Sequence, residues 1–569
     1  MINAERILED SFPDFKSGKN KKIILKILKK LIHQDDFNEV LQKNLHLRGF
    51  AFLNKLLDYF KFSYQVGNQS LNNIPAEGRL VIVANHPIGT LDGLSLLKLI
   101  RSVRPDVRIV ANRVLNHMQP LQSLFFPVAV LSESKNLKET YKLLIQALEN
   151  EEAIIFFPAG EVSRIRPTGI LDGAWQTGFL KLALKTQSPI LPIHIKAKNS
   201  ALFYSLSTLY KPLGTLLLVN EMFNKKNQEI KFTVGAPIPY SAFSASKESN
   251  RELSQRFRKH ILHLKKKKSF FDTVETVIHP ADTKTIKKAL YNSTFLGETR
   301  DGKKIFLYDF KDDCPVMTEI ARLRELTFRS VEEGTGLSLD LDKFDTYYRH
   351  IVLWDDHDLE IVGSYRIGEG ATILAQAGVD GFYTQTLFDL SSHFATYLPE
   401  SIELGRSFVQ PRYWGQHSLD YLWYGIGAYL RERPQLKYLF GPVSLSNAYP
   451  QDAKELIVAF YQQQFGNDLP SLAARMPFQV SPSIREFAAT EFIQDYSNSY
   501  RILNGELRKR GVKVPTLYKQ YSELCVDNGC HFMGFNIDPD FNSCIDSLVM
   551  IETAKIVPKK RQRYINANH

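Results

Sequence analysis

Cysteine is scarce in this chain. There are four in 569 residues, Cys314, Cys525, Cys530 and Cys544, all in the second half. None forms a Cys-x-x-Cys pair, which argues against a disulfide framework and against the usual zinc spacings, so no metal is expected. Long apolar runs are missing too, since no stretch approaches the roughly 18–20 residues of a membrane-spanning helix. The amino terminus carries Glu5, Glu9, Asp10 and Asp14 without an apolar core, so it does not read as a secretory signal. A cytoplasmic location is expected. Zinc-finger spacing and ribonucleoprotein-type aromatic motifs are absent, which argues against a nucleic-acid partner. What is present is a globular composition, 44% hydrophobic and 23% charged, on a chain too long for one core.

The net charge of +11 favours anionic partners, either an anionic membrane face or an acidic carrier protein. Within Lys21–Ile32, residues Ile24, Ile27, Leu28 and Leu31 fall at helical spacing, with Lys22, Lys26, Lys29 and Lys30 around them. This pattern fits a basic amphipathic helix lying on a membrane, and it fits equally an ordinary helix packed on the core. Residues 201–223 are apolar but broken by Pro212 and Gly214. They read as a segment that dips into a bilayer or as core structure, with Leu216–Val219 expected as a strand.

Strand and helix signals alternate through the first half. Strands are expected at 80–84, 107–110, 154–157, 190–195, 215–219 and 230–234, which argues an α/β sheet. The predicted organisation is a helical region 1–74, for which a place on the membrane surface is one reading, then an α/β domain over 75–268. A linker or bridging helix over 269–300 and a second α/β domain over 301–569 follow. Strands of the second domain are expected at 304–310, 351–355, 360–367, 402–409 and 436–443, with helices at 316–331 and 416–432.

Three segments of the first half carry chemistry. Asn85-His-Pro-Ile-Gly-Thr-Leu-Asp92 follows the apolar run Leu80–Ala84, so a His and an Asp arrive at the carboxyl end of a buried strand. A His oriented by a carboxylate removes a proton from a hydroxyl. Phe156-Phe-Pro-Ala-Gly-Glu-Val-Ser-Arg164 ends a second strand and presents Glu161, Ser163 and Arg164. Ser188-Pro-Ile-Leu-Pro-Ile193 is a third strand set between prolines. In this order they resemble the four-motif glycerolipid acyltransferases of the lysophosphatidate acyltransferase type, over residues 75–240.

That resemblance implies a glycerolipid-acyltransferase-type α/β domain with His86 as general base and Asp92 as its orienting carboxylate. It further implies that Arg113, Glu161, Ser163 and Arg164 contact the acceptor. Two departures stand out. Five residues separate His86 from Asp92 where the family usually has four, and Ala159 and Glu161 replace the usual Glu and Thr. Both are similar to the subgroup that makes ornithine lipids and to haemolysin-type acyltransferases, and they point away from a phosphate-bearing acceptor.

The second half holds Arg324 and Phe328 one helical turn apart, Asp342 and Asp345, Arg366, and Glu403 with Arg406. Their order resembles the acyl-homoserine lactone synthases and, more closely, the ornithine N-acyltransferases, over residues 300–550. A GNAT-like N-acyltransferase domain is implied, with Glu403 and Arg406 catalytic. Arg324, Phe328, Asp342, Asp345 and Arg366 would bind an amino acid. A buried charge network that only stabilises the fold is the competing reading. At Arg412-Tyr-Trp-Gly-Gln-His417, bulky Trp414 and His417 crowd the turn that would cradle a pyrophosphate. This favours an acyl carrier protein thioester over a CoA thioester as donor, with no further cofactor.

Together the halves resemble a bifunctional ornithine lipid synthase working on the inner membrane surface. The second domain would N-acylate ornithine with a 3-hydroxyacyl group, and the first would O-acylate the resulting lyso-lipid. Two alternatives are a fusion serving another amine, giving a glycine or lysine lipid, and a non-enzymatic haemolysin-like protein.

Overall fold

The computed structural model describes residues 5, 25–26, 29–30, 33–112, 118–128, 134–166, 169–209, 211–266, 268–311, 314–390, 392–466, 472–526 and 528–566. The chain forms two compact units, residues 1–279 and 280–569.

The first unit is built on a seven-stranded sheet. Its strands are β1 (Ser63–Val66), β2 (Leu80–Ala84), β3 (Val107–Asn112), β4 (Phe125–Val128), β5 (Ala153–Phe156), β8 (Ile190–Lys196) and β9 (Glu229–Val234). A separate hairpin holds β6 (Arg164–Arg166) and β7 (Gly169–Leu171). The spatial order is β1-β9-β8-β2-β5-β3-β4, and every neighbouring pair is parallel except β8 with β9. Central β2 is buried at all five positions, as a strand covered on both faces must be. Packed layers lie on each face. One contains Leu56, Leu96 and Ile100, and the other Phe179, Phe257 and Ile261. The mixed α/β sheet accords with the expected fold class.

Several local expectations are corrected. Residues 215–219 lie in a helix, Lys211–Asn224, not a strand. A short apolar run has no periodicity that separates strand from buried helix. The region 1–74 is not wholly helical, because β1 pairs in parallel with β9 and extends the sheet. With only four residues, β1 is too short to show a pattern. The 269–300 stretch contains a helix, Thr283–Tyr291, capped by Asp282, and strand β10 (Thr294–Glu298). Ile286 and Leu290 of that helix are buried in the second unit, so it is part of a core and not a tether. The amphipathic pattern of Lys21–Ile32 falls largely outside the described residues.

The second unit is an eight-stranded sheet in the order β10-β11-β12-β13-β14-β15-β17-β16. The added strands are β11 (Lys304–Asp309), β12 (Arg349–Asp355), β13 (Glu360–Glu369), β14 (Ser401–Val409), β15 (Tyr438–Leu445), β16 (Cys530–Asp538) and β17 (Cys544–Glu552). All neighbours are antiparallel except β14 and β15. Those two pair in parallel only from Ser401/Tyr438 to Glu403/Phe440, although both strands continue. The sheet therefore opens beyond Glu403. On the far side of β14, the register with β13 slips between Ser364 and Arg366. Arg406 sits in this bulge at φ +48, a left-handed conformation costly for a side chain of its size.

Candidate functional site

In the first unit the chain leaves β2 at Asn85, whose side chain clamps β8. Its amide donates to Ile195 O at 2.9 Å, and its oxygen accepts from Ile195 N at 2.7 Å. The next residue, His86, is thereby held at the carboxyl edge of the sheet. Gly89, at φ +96, turns the chain into the Thr90–Arg101 helix. Asp92 lies in that helix's first turn and accepts Ile88 N–H at 2.9 Å and Gly89 N–H at 3.2 Å. This leaves its other oxygen 2.9 Å from His86 Nδ1. The glycine turn thus accommodates the extra residue between the two. The imidazole stacks on Phe157 at the end of β5, with ring centres 4.1 Å apart and planes at 20°.

A second carboxylate joins the site. Buried Asp172 receives the backbone N–H of His86 at 3.3 Å, the Ser163 hydroxyl at 2.5 Å and the Trp175 indole N–H at 3.2 Å. Ser163 also donates its backbone N–H to His86 O at 2.8 Å. Burial works against charge on His86, but Asp92 and then Asp172 outweigh it, so the imidazole is more basic than usual. With Nδ1 turned to Asp92, Nε2 remains for a substrate hydroxyl.

Among the other expected acceptor residues, Glu161 and Arg164 form an ion pair at 3.7 Å, and the Arg164 guanidinium lies 5.6 Å from the centre of the Phe203 ring. Ser163 needs correcting, because its hydroxyl is committed to Asp172 and the residue is buried. Arg113 lies outside the described residues. Asp172 and Phe157 were missed by the sequence reading. Asp172 follows a three-residue strand in an Asp-Gly turn, a pattern of ordinary loops.

In the second unit, most of the expected residues meet in one charge network. Arg324 and Asp345 have fully buried side chains 2.8 Å apart. Arg366 reaches Asp342 at 2.7 Å and Asp345 at 3.3 Å, and Arg406 reaches Asp340 and Asp342 at 3.5 Å each. His350 closes the inner side. Burial and the neighbouring Arg324 push its pKa down to about 3, so it is neutral. Although burial opposes its charge, the two arginines hold Asp345 well below the usual carboxylate range. Arg324, Asp345 and Arg366 therefore pair with one another, as in a charge network that supports the fold, while Arg366 Nε and Nη2 are buried without a hydrogen-bond partner among the described residues. Phe328 is also core, packed edge-on against Phe541 at 5.0 Å. The network reaches solvent at Asp342 and Arg406, whose side chains are 23% and 12% exposed.

Glu403 is buried and fully engaged. One oxygen accepts Thr384 N–H at 2.7 Å and Thr384 Oγ1 at 2.6 Å, and the other accepts Tyr348 OH and, at 3.2 Å, Tyr383 N–H. Burial raises its pKa despite these donors. A carboxylate with four donors holds the Tyr383–Thr384 segment at the sheet opening. Three further acids escaped notice. Glu333, Asp538 and Asp546 are buried, with Glu333 pushed up to about 7 by burial. Burial, Asp538 and Glu333 raise Asp546 well above its ordinary range. Strand register brings Asp546 opposite Asn536 and Ser444, a relation no sequence spacing reveals.

An alcohol-directed His–Asp pair on one sheet and a split sheet lined by charge on the other define an acyltransferase of two kinds in one chain. Residues 6–270 match the family model described as acyltransferase, and residues 323–424 match that of the acetyltransferase (GNAT) domain. The chain is 33% identical over 306 residues to a glycine Nα-acyltransferase of Bacteroides thetaiotaomicron, covering 51% of this chain and 90% of that protein. It is 29% identical over 255 residues to a lyso-glycine lipid O-acyltransferase of the same organism, covering 43% of this chain and 92% of that one. It is 31% identical over 134 residues to an L-ornithine Nα-acyltransferase of Brucella abortus, covering 22% of this chain and 44% of that one. The chain belongs to the acyltransferase family of the glycine Nα-acyltransferase, and it is an enzyme that joins an O-acyltransferase domain to a GNAT-type N-acyltransferase domain.

Proposed function

We propose that this enzyme builds a diacylated amino-acid lipid. The second unit forms an amide between a 3-hydroxyacyl group and the α-amine of the amino acid. The first unit then esterifies the 3-hydroxyl. Having both acyltransferase types in one chain carries this reading. In the esterification, His86 Nε2 takes the proton as the hydroxyl oxygen attacks the thioester carbonyl. Collapse of the adduct breaks the C–S bond, and the imidazolium returns its proton to the departing thiolate. Asp92 and Asp172 stabilise the imidazolium, and such base catalysis is worth about 10²–10⁴-fold.

Ornithine is the amine that the residue order of the second half favours. Glycine is a second reading, supported by the 90% coverage of the glycine Nα-acyltransferase. The acyl donor we propose is an acyl carrier protein thioester, which suits a chain of net charge +11. Among the basic residues of the second unit, Arg412 pairs with Glu360, and Lys509 and Arg510 pair with Glu506. These pairings favour a solvated surface at those positions. Among the described residues no helix is long and apolar enough to cross a membrane, and we place the enzyme peripherally on the cytoplasmic membrane face.

Expression in a host lacking aminolipids, fed separately with isotope-labelled ornithine and glycine, tests the reading. Mass spectrometry should find a new diacylated lipid carrying one label, and the label names the amine. Absence of any new aminolipid would refute the proposal.

A further inference from the structure

Strands β8 and β9 bring two lysines directly opposite one another. Lys196 pairs with Lys231, one step beyond Ile195 and Phe232. Like charges facing across an antiparallel pair repel. Lys265, in the short turn that follows the Asn250–His263 helix, adds to the repulsion, since burial and both lysines lower its pKa. His194 shares this face of β8, and burial together with Lys265 holds its pKa near 4, so it stays neutral. No ion pair to an acid engages Lys196, Lys231 or Lys265 among the described residues. All three are exposed. An exposed lysine cluster without paired acids attracts anions.

The place of this cluster is informative. Ile195, beside Lys196, is the residue clamped by Asn85, one position before His86. Asn199 donates to Pro87 O at 3.3 Å, so Lys198 also belongs to this rim. Three residues further, Leu202 stands 59% exposed in an apolar helix, Ala201–Leu209. Exposed lysines, followed six residues along the chain from Lys196 by an exposed leucine, next to a site proposed to take a lipid acceptor, match the chemistry of an anionic bilayer surface.

We propose that the carboxyl edge of the first unit's sheet docks on an anionic membrane face. Lys196, Lys231 and Lys265 supply the charge and Leu202 the apolar contact, and docking brings the His86 loop to its lipid acceptor. This rests on the lipid-acceptor reading above and adds the surface that meets the bilayer. An acidic carrier protein is the competing occupant. The exposed leucine favours the membrane.

The full chain is mixed with vesicles of phosphatidylglycerol and phosphatidylcholine, or of phosphatidylcholine alone, and sedimented. The wild type should bind the anionic vesicles and lose binding as salt rises. Reversing charge at K196E, K231E and K265E together should weaken binding roughly tenfold or more. The melting temperature of Lys231→Gln, which relieves repulsion, should not fall, which guards against misfolding as the cause. Wild-type indifference to anionic lipid would overturn the proposal. So would unchanged vesicle binding in the triple variant, and a raised KM for acyl carrier protein beside that unchanged binding would assign the patch to the carrier. Salt-sensitive binding by a wild type that transfers no acyl group would instead remove the lipid-acceptor reading and leave the surface standing.

Discussion

Asp172 receives the backbone N–H of His86 at 3.3 Å while taking the Ser163 hydroxyl at 2.5 Å. A carboxylate from a second loop thus props the catalytic loop from behind, while Asp92 supports it from the following helix. The Asp172→Asn variant should lower the pKa of His86, because one of the two charges that raise it is removed. The base must be neutral to work, so activity appears as pH rises past that pKa. The acid limb of the O-acylation pH profile should therefore move to lower pH. An unmoved limb would show that Asp172 only shapes the loop.

The raised pKa also has a stability consequence. A His whose folded pKa exceeds its unfolded value stabilises fully below the unfolded value, and the contribution fades as pH rises through the folded one. His86→Gln should narrow the stability difference between acidic and alkaline sides of that window, read as denaturant midpoints at each pH.

His86→Ala should abolish ester formation and spare the amide. In the expression host, lipid extracts should accumulate the mono-acylated amino acid and lack the diacylated product. Loss of both species would contradict the division of labour between the two units.

Asp345→Asn should destabilise the second unit strongly. It would strip the ion-pair partner from Arg324 and leave Arg366 with Asp342 alone, and breaking a buried pair costs about 3–5 kcal/mol. Urea unfolding measures this, and a shift below about 1 kcal/mol would mean that water enters the network.

Glu403→Gln should slow N-acylation without reshaping its pH profile. Gln keeps the size but faces the four donors around Glu403 with an NH₂ of its own. The Tyr383–Thr384 segment should loosen, raising KM for the amine. A profile that loses its acid limb would identify Glu403 as the base.

Local patterning was enough for much of this. Apolar runs such as Leu80–Ala84 announced the parallel strands, because a strand buried on both faces must be apolar throughout. His86 and Asp92 were legible because six positions of chain, bent at Gly89, suffice to join them. Where neighbouring sequence carries no pattern, the reading failed. Four-residue β1 and the apolar stretch 215–219 are examples. So is Ser163, chemically apt for a substrate yet committed to Asp172.

By itself, then, the sequence determined the two domain types, the His–Asp pair and the set of charged residues in the second half. Only the tertiary structure decided which of those charges pair with one another inside and which face outward. Arg324, Asp345 and Arg366 form ion pairs inside, while Asp342 and Arg406 stand at the edge. The physical reason is that a buried charge must find its partner in space. Those partners come from strands and loops whose register and burial no local spacing records.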